Sequence, residues 1–245
     1  MTRTVKEEEY LARRNEILAA VRQLIYTKGY EQMTIQDIQK ALKISKGAFY
    51  HYFASKSAVL EALVERMVVD EILPILLPIV QDANMSALEK LERWFEIGLR
   101  WKTTQKPLML AILRVWVADE NAIVRQKMLS MSIKQVAPLL TDILRQGVQE
   151  GVFTTPYPEQ VSHVLIYILQ GLNDTLTELL LASETHMDPI RIENSVTEYI
   201  DALRDTLERV LGASSGSLKL IDPRTLKLWF EPSDEAALIP SQNTG

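Results

Sequence analysis

The chain has 245 residues, 47% of them hydrophobic and 24% charged, which suits one or two domains around a sizeable core. It holds no cysteine, which excludes disulfides, thiol catalysis and zinc-thiolate sites and suits a reducing, cytoplasmic setting. The net charge of −5 argues against nucleic acid only until its distribution is read. Residues 1–66 carry eleven Lys and Arg against eight Asp and Glu, while the remainder is acidic. Between residues 39 and 60 stand Lys40, Lys43, Lys46 and Lys56 with no acid, a local basic patch of the kind that holds phosphates. The opening MTRTVKEEEY shows no signal-peptide core, and the apolar run Ile72 to Val80 is too short to span a bilayer, so no membrane partner is expected.

Residues 9–28 read as an amphipathic helix, with Ile17, Leu18, Val21, Leu24 and Ile25 on one stripe at the 3.6 period and Gly29 as its stop. Thr34 then opens a short second helix. Asp37 lies three residues on, as in a capping box, and Ile35, Ile38 and Leu42 form the inner face. Ser45 caps a third helix. Two short helices joined by a tight turn after a longer support helix read as a helix-turn-helix. The turn position that favours positive φ falls on Lys43 rather than glycine, at a cost of about 1 kcal/mol, so a differently bent turn is the alternative. The Lys43 ammonium would lie near any bound backbone.

Projected at 100° per residue, the third helix buries Phe49, Tyr52 and Phe53 and presents Gly47, Ala48, Tyr50 and His51 outward. That outer face is small, polar-aromatic and free of acid. Gly47 permits close approach of another backbone, Tyr50 and His51 can donate to phosphate oxygens, and Lys46 and Lys56 add charge. Tyr50 or His51 alone would read as an ordinary surface residue. The whole constellation in a helix-turn-helix reads as a nucleic-acid face.

The segment from about Arg14 to Met67 resembles the DNA-binding domain of the TetR family of transcriptional regulators. The resemblance is carried by ILAAVRQLIYTKGYEQMTIQDIQKAL and then ISKGAFYHYFASKSAVLEAL. It implies an all-α fold, with a three-helix DNA-binding unit at 9–57, a larger ligand-binding and dimerisation bundle at 58–211, and a partly disordered tail at 212–245. By position it assigns Thr34 and Lys56 to phosphates, Lys46 and Gly47 to the start of a recognition helix in the major groove, Ala48 to bases, and Tyr50 and His51 to the backbone. With Ala48 offering only a methyl group, target choice leans on DNA shape and on second-helix residues such as Gln36.

A fourth helix, capped by Ser55, carries Val59, Leu60, Leu63, Val64, Met67 and Val68 out of this unit, and Pro74 and Pro78 are expected to kink or stop its far end. Bundle helices follow at about 86–103, 106–118, 121–150 (kinked at Pro138), 158–182 and 188–211. Three of the four tryptophans and a group of methionines fall between residues 85 and 131. Such residues line apolar pockets and fill cores alike, and any single one reads better as core. As a set in a TetR-like ligand domain, Trp94, Trp101, Met109, Trp116, Met128 and Tyr167 suggest an effector pocket, with His163, Asn173 and Asp174 as its polar members. His163 alone reads as a surface histidine.

The helices at 158–182 and 188–211 carry apolar residues on more than one side, and in the family this pair forms a homodimer interface. After Gly212, ASSGS reads as a linker. LKLIDPRTLKLWFEP is either a helix opened by Asp222-Pro223 or a hairpin, with the helix favoured and Trp229 docked on the body or on the partner subunit.

No nucleophile elbow, phosphate loop or metal spacing is present; His51, His163 and His186 lie far apart, and no cofactor is expected. The reading is a non-enzymatic, ligand-responsive homodimeric repressor of a palindromic operator on double-stranded DNA, released when a small, largely apolar effector binds. The alternative is a same-fold activator or structural DNA-binding factor without an inducer.

Overall fold

A computed structural model describes residues 2–116, 122–183, 189–221 and 223–230, and all regular structure among them is helical. The helices are α1 (Thr2–Lys28), α2 (Ile35–Leu42), α3 (Lys46–Tyr52), α4 (Lys56–Arg66), α5 (Leu73–Gln81), α6 (Ala87–Thr104), α7 (Lys106–Trp116), α8 (Ala122–Gln135), α9 (Ala137–Gln149), α10 (Pro158–Ser183), α11 (Pro189–Leu211) and α12 (Pro223–Phe230). A six-residue π-helical turn, Met67–Ile72, joins α4 to α5.

α1 starts at Thr2, seven residues earlier than the expected 9–28, because the chain has no glycine or proline before Gly29 to stop it. Gly29 ends it at φ 80°, and Tyr30 and Met33 then turn into the core. The stripe Ile17, Leu18, Val21 and Ile25 packs against Ile38, Phe49, Phe53, Val59 and Leu63. That core runs on without a break into Leu108, Ile112 and Val124, so α1 and α4 rest on α7 and α8.

Three prolines set the register of the middle of the chain. Pro78 does not stop the helix: α5 continues through it to Gln81. The adjustment lies just before Pro74, in the π-helical turn. Pro74 lacks the N–H for an i→i−4 bond and its ring crowds the carbonyl of Asp70; widening the turn relieves both. Pro138 does more than the expected kink. The 121–150 helix is two helices, α8 and α9, parted at Val136, with Pro138 in the first turn of α9 where its missing N–H costs nothing. Residues 117–121, including the start of the expected helix, lie outside the described residues.

The second core gathers Leu76, Leu91, Trp94, Leu140, Ile143, Leu144, Leu165, Leu207 and Leu211 from α5, α6, α9, α10 and α11, with Phe153 from the connection between α9 and α10. Phe153 lies so close over Gly147 that a β-carbon there would meet its ring at 2.0 Å, so this position admits only glycine. Residues 213–221 and α12 are part of this body. Leu218 and Leu220 are buried in the second core. α12 shows that the helix, not the hairpin, is formed: Leu226 packs on Ile192, Val196 and Ile200, and Trp229 on Leu110 and Leu180. The Trp229 indole N–H donates to Thr103 Oγ1 at 2.9 Å, so Trp229 docks on its own chain. Asp222 and the residues from 231 on lie outside the described residues.

Candidate nucleic-acid interface

Helix α2 begins as its sequence dictates. The Thr34 hydroxyl accepts from Asp37 N–H, and Asp37 Oδ2 accepts from Thr34 N–H at 2.8 Å, closing a capping box. Asp37 Oδ2 also takes the Thr34 hydroxyl proton (2.7 Å) and the Lys28 ammonium (2.8 Å). Lys28, then the Thr34 hydroxyl and backbone N–H, hold the Asp37 carboxyl far below the usual carboxylate range. Thr34 is therefore exposed, but its hydroxyl proton is committed to Asp37.

The turn runs through Lys43 at φ 52°, ψ 44°, the one positive-φ residue other than glycine among the described residues. Of the two bends open to the sequence, the left-handed one is formed. Lys43 N–H caps α2 on the carbonyls of Gln39 and Lys40, and Ile44 N–H bonds Gln39 at 3.0 Å. Helix α3 is then capped by Ser45, whose Oγ accepts from Ala48 N–H at 3.1 Å. Phe49 is fully buried and Phe53 nearly so, and Tyr52 is half-buried, as the projection requires. Gly47, Tyr50 and His51 are exposed, and Ala48 is half-buried between them.

Four further contacts hold this helix. Tyr10 stacks tilted on Tyr52 at 4.9 Å and meets His51 edge-on at 5.7 Å. The Arg14 guanidinium lies 5.2 Å over Phe53, and the Lys46 ammonium 6.0 Å from the Tyr50 ring centre. Lys56 lies 4.2 Å over Tyr30 and donates to the Glu31 carbonyl at 3.1 Å. Tyr10 and Arg14 are absent from the sequence-derived set. Continuing the α1 stripe backward from Ile17 by one and two turns reaches both.

Gly47 has no internal reason to be glycine. A β-carbon there would meet only Ser45 Oγ, at 3.9 Å, an ordinary contact. Along the exposed side of α2 and α3, Gln36, Lys40, Lys43, Lys46, Gly47, Tyr50 and His51 form a surface without a carboxylate. What this face can do is accept a closely approaching, negatively charged surface.

The residues expected around an effector are less gathered. Trp101, Met109 and Met128 sit partly buried at the edge of the first core, while Trp94 is buried in the second. Asn173 Oδ1 accepts the Lys102 ammonium at 3.1 Å, and burial lowers the pKa of that lysine. Lys102 is missing from the sequence-derived set, although its place on the α6 stripe three residues after Leu99 marks it. Tyr167 and His163 face outward on α10, Tyr167 being 55% exposed. Trp116 ends α7 with its side chain outside the described residues.

Between the two groups lies a polar junction. Arg22 on α1 bonds both Glu71 in the π-helical turn and Gln105 before α7, and Gln105 Nε2–H donates to Glu71 at 3.1 Å. Burial raises the Glu71 pKa, but Arg22 and Gln105 together outweigh it, and the carboxyl sits below its ordinary value. A cleft of about 370 Å³ opens beside this junction, between α1 and α7.

Comparison with known proteins agrees with this geometry. Residues 17–63 match the family model of bacterial regulatory proteins of the tetR family, and residues 114–177 match that of the tetracyclin repressor-like C-terminal domain. The chain is 36% identical over 59 residues to the HTH-type transcriptional repressor Rv1474c of Mycobacterium tuberculosis, covering 24% of this chain and 32% of that one. It is 40% identical over 53 residues to the HTH-type transcriptional repressor NemR of Escherichia coli, covering 22% and 27%. The matched stretch thus spans a third or less of these relatives. A crystal structure of a TetR-family regulator from Pectobacterium atrosepticum shares the fold at TM-score 0.63 and 18% identity, over 83% of this chain and 96% of that one. Two matched family models, one on the helix-turn-helix and one on the bundle that carries it, say the same thing: the chain belongs to the TetR family of transcriptional regulators.

Proposed function

We propose that the protein is a homodimeric repressor that binds a roughly palindromic operator in double-stranded DNA through α3 and releases it when a small, largely apolar effector binds the bundle. In this reading residues 9–57 bind DNA, 58–211 bind effector and partner, and 212–245 are an appended tail. The observation that carries it is the α3 face: exposed, acid-free, and built around a glycine that the fold itself does not need. Lys43 and Lys46 reach phosphates, Tyr50 and His51 donate to the backbone, and Ala48 meets base edges, with Gln36 beside them. Thr34 contributes through its capping geometry rather than a free hydroxyl proton, and Lys56 as a charge at the start of α4.

The dimer reading is supported by α10. Its stretch Pro158–Ala182 is apolar, with a mean hydropathy of 1.3 over its best window, yet only 22% of that window is buried within the chain. By length and composition such a helix also meets the criterion for crossing a membrane. Here its outward residues Val164, Tyr167 and Gly171, with Tyr199 of α11, fit a second copy better. Gly171 has nothing within 4 Å of its β-position, which leaves room for a partner helix. Tyr167 and His163 then serve the dimer, and the effector set narrows to Trp94, Trp101, Met109, Met128 and Asn173, with Trp116 beside them. The family and the absence of a catalytic cluster in the sequence support a non-enzymatic role in the cytoplasm.

A mobility-shift titration of the DNA upstream of its own coding region tests the reading. Lys46→Ala, Tyr50→Phe and His51→Ala are each expected to weaken binding several-fold, and each lost phosphate contact flattens the log-log salt dependence by about one unit. Wild-type affinity in all three removes the proposal.

A further inference from the structure

We propose that the cleft between α6, α11 and the 213–221 segment is a small-molecule site distinct from the aromatic set around Trp101, and that it takes an organic cation: a flat apolar body carrying a protonated amine. The cleft has a volume of about 900 Å³, the scale of ligand pockets. Its floor is apolar, made by Leu99, Ile200, Leu218, Leu220 and Ile221.

Glu208 supplies the charge. It lines the cleft and is only 5% exposed. One carboxylate oxygen accepts Leu218 N–H at 3.1 Å, the one partner of this side chain among the described residues. A carboxylate has about four acceptor positions, and Glu208 is not among the buried unpartnered groups, so the positions left over open to the cleft. Fastening Leu218 does not need the charge, because a neutral amide oxygen would accept the same N–H.

The basic residues of the cleft do not answer Glu208. Arg204, one turn earlier on α11, gives its guanidinium to Asp201 at 2.7 Å. Arg100 and Lys219 are exposed at the rim. Glu92, Glu96, Asp201 and Asp205 also line the cleft. Glu96 and Asp205 are paired with Arg93 and Arg209, as Asp201 is with Arg204, so among the described residues Glu208 and Glu92 are the lining carboxylates outside the ion pairs. The buried charge is negative, the rim is mixed and the floor is apolar, which is the complement of an amphipathic cation. The cleft also stays clear of the proposed dimer face: Ile200, Arg204 and Glu208 lie on a side of α11 roughly 140° from Tyr199.

Three ligands sharing one indole ring test this on the full chain by isothermal titration: cationic tryptamine, neutral tryptophol and anionic indole-3-propionate. Tryptamine is expected to bind at least ~10-fold tighter than tryptophol, with indole-3-propionate weakest. Glu208→Gln keeps the acceptor for Leu218 N–H, so it is expected to melt with the wild type and to bind tryptamine no better than tryptophol. A charge preference that is absent in the wild type, or that survives Glu208→Gln in a folded variant, overturns the proposal. Nuclear Overhauser contacts from the indole ring of tryptamine to the methyls of Leu99 and Leu220 in the wild type locate the site whether or not the variant folds. Their absence at millimolar tryptamine, or contacts to Met109 and Met128 instead, also overturns it.

Discussion

Lys43 shows how one residue can serve stability and function in opposite directions. Its left-handed backbone costs about 1 kcal/mol relative to glycine, yet it puts an ammonium on the acid-free face beside α3. Lys43→Gly is therefore expected to raise unfolding stability by about 1 kcal/mol in urea titrations while reducing the salt slope of DNA binding by about one unit. Asp37 makes a pH prediction. Its carboxyl is depressed in the folded state, chiefly by Lys28 and then by Thr34, from an ordinary value of 3.8. The folded state then binds fewer protons than the unfolded one. The contribution is fully present above about pH 4 and fades as the pH falls toward the folded value. Wild type should melt above Asp37→Asn at pH 6, and the gap should close on acidification; a gap that stays constant to pH 2 contradicts the assignment. Both residues were legible in the sequence, Asp37 as the third member of a capping box and Lys43 as the occupant of the turn. The sequence left the bend at Lys43 open, because a one-residue conformational cost is decided by the packing of α2 against α3.

At the scale of elements, the prolines were visible but their consequences depended on register. Neither Pro74 nor Pro138 has the N–H that an unbroken helix would use at its position. Whether the chain kinks, breaks or widens depends on whether the neighbouring turns are held by other helices. α5 is held by Leu76, Ile79 and Val80 against α6 and α9, so the strain is taken up in the π-helical turn before it. That turn carries Glu71, which meets Arg22 from α1 and Gln105 from the start of α7. The junction joins three elements over large sequence separations, which is why spacing alone did not reveal it. It is a polar link between the N-terminal helices and the bundle, beside the Lys127–Glu61 ion pair and the apolar contact of α1 with Leu108 and Ile112. Arg22→Ala removes the cation from this junction and leaves the part-buried Glu71 carboxylate with neutral donors such as Gln105. In calorimetry the wild type is expected to unfold in one transition and Arg22→Ala in a broadened or split one, as the N-terminal helices lose their coupling; an equally sharp transition in both would mean the apolar contact alone suffices.

At the scale of the molecule, the reading rests on two faces pointing away from the core. One is the exposed side of α3, and the other is the under-buried side of α10 with α11. The outward placement of Gly47, Tyr50 and His51 was legible from periodicity because a seven-residue helix with Phe49 buried has little freedom in where its other residues point. The effector set was less legible. Aromatic and thioether side chains mark burial but not which helix pair closes over them, and Trp94 and Trp101 fall in different cores. The claim that everything else serves is that α3 meets DNA closely at Gly47. Gly47→Leu separates it from folding, since the fold leaves that β-position open. The decisive measurement is fluorescence-anisotropy binding of the upstream DNA by wild type and Gly47→Leu, alongside their melting temperatures. The account predicts equal melting and at least ~10-fold weaker DNA binding in the variant; a folded Gly47→Leu protein that binds as tightly as wild type would contradict it.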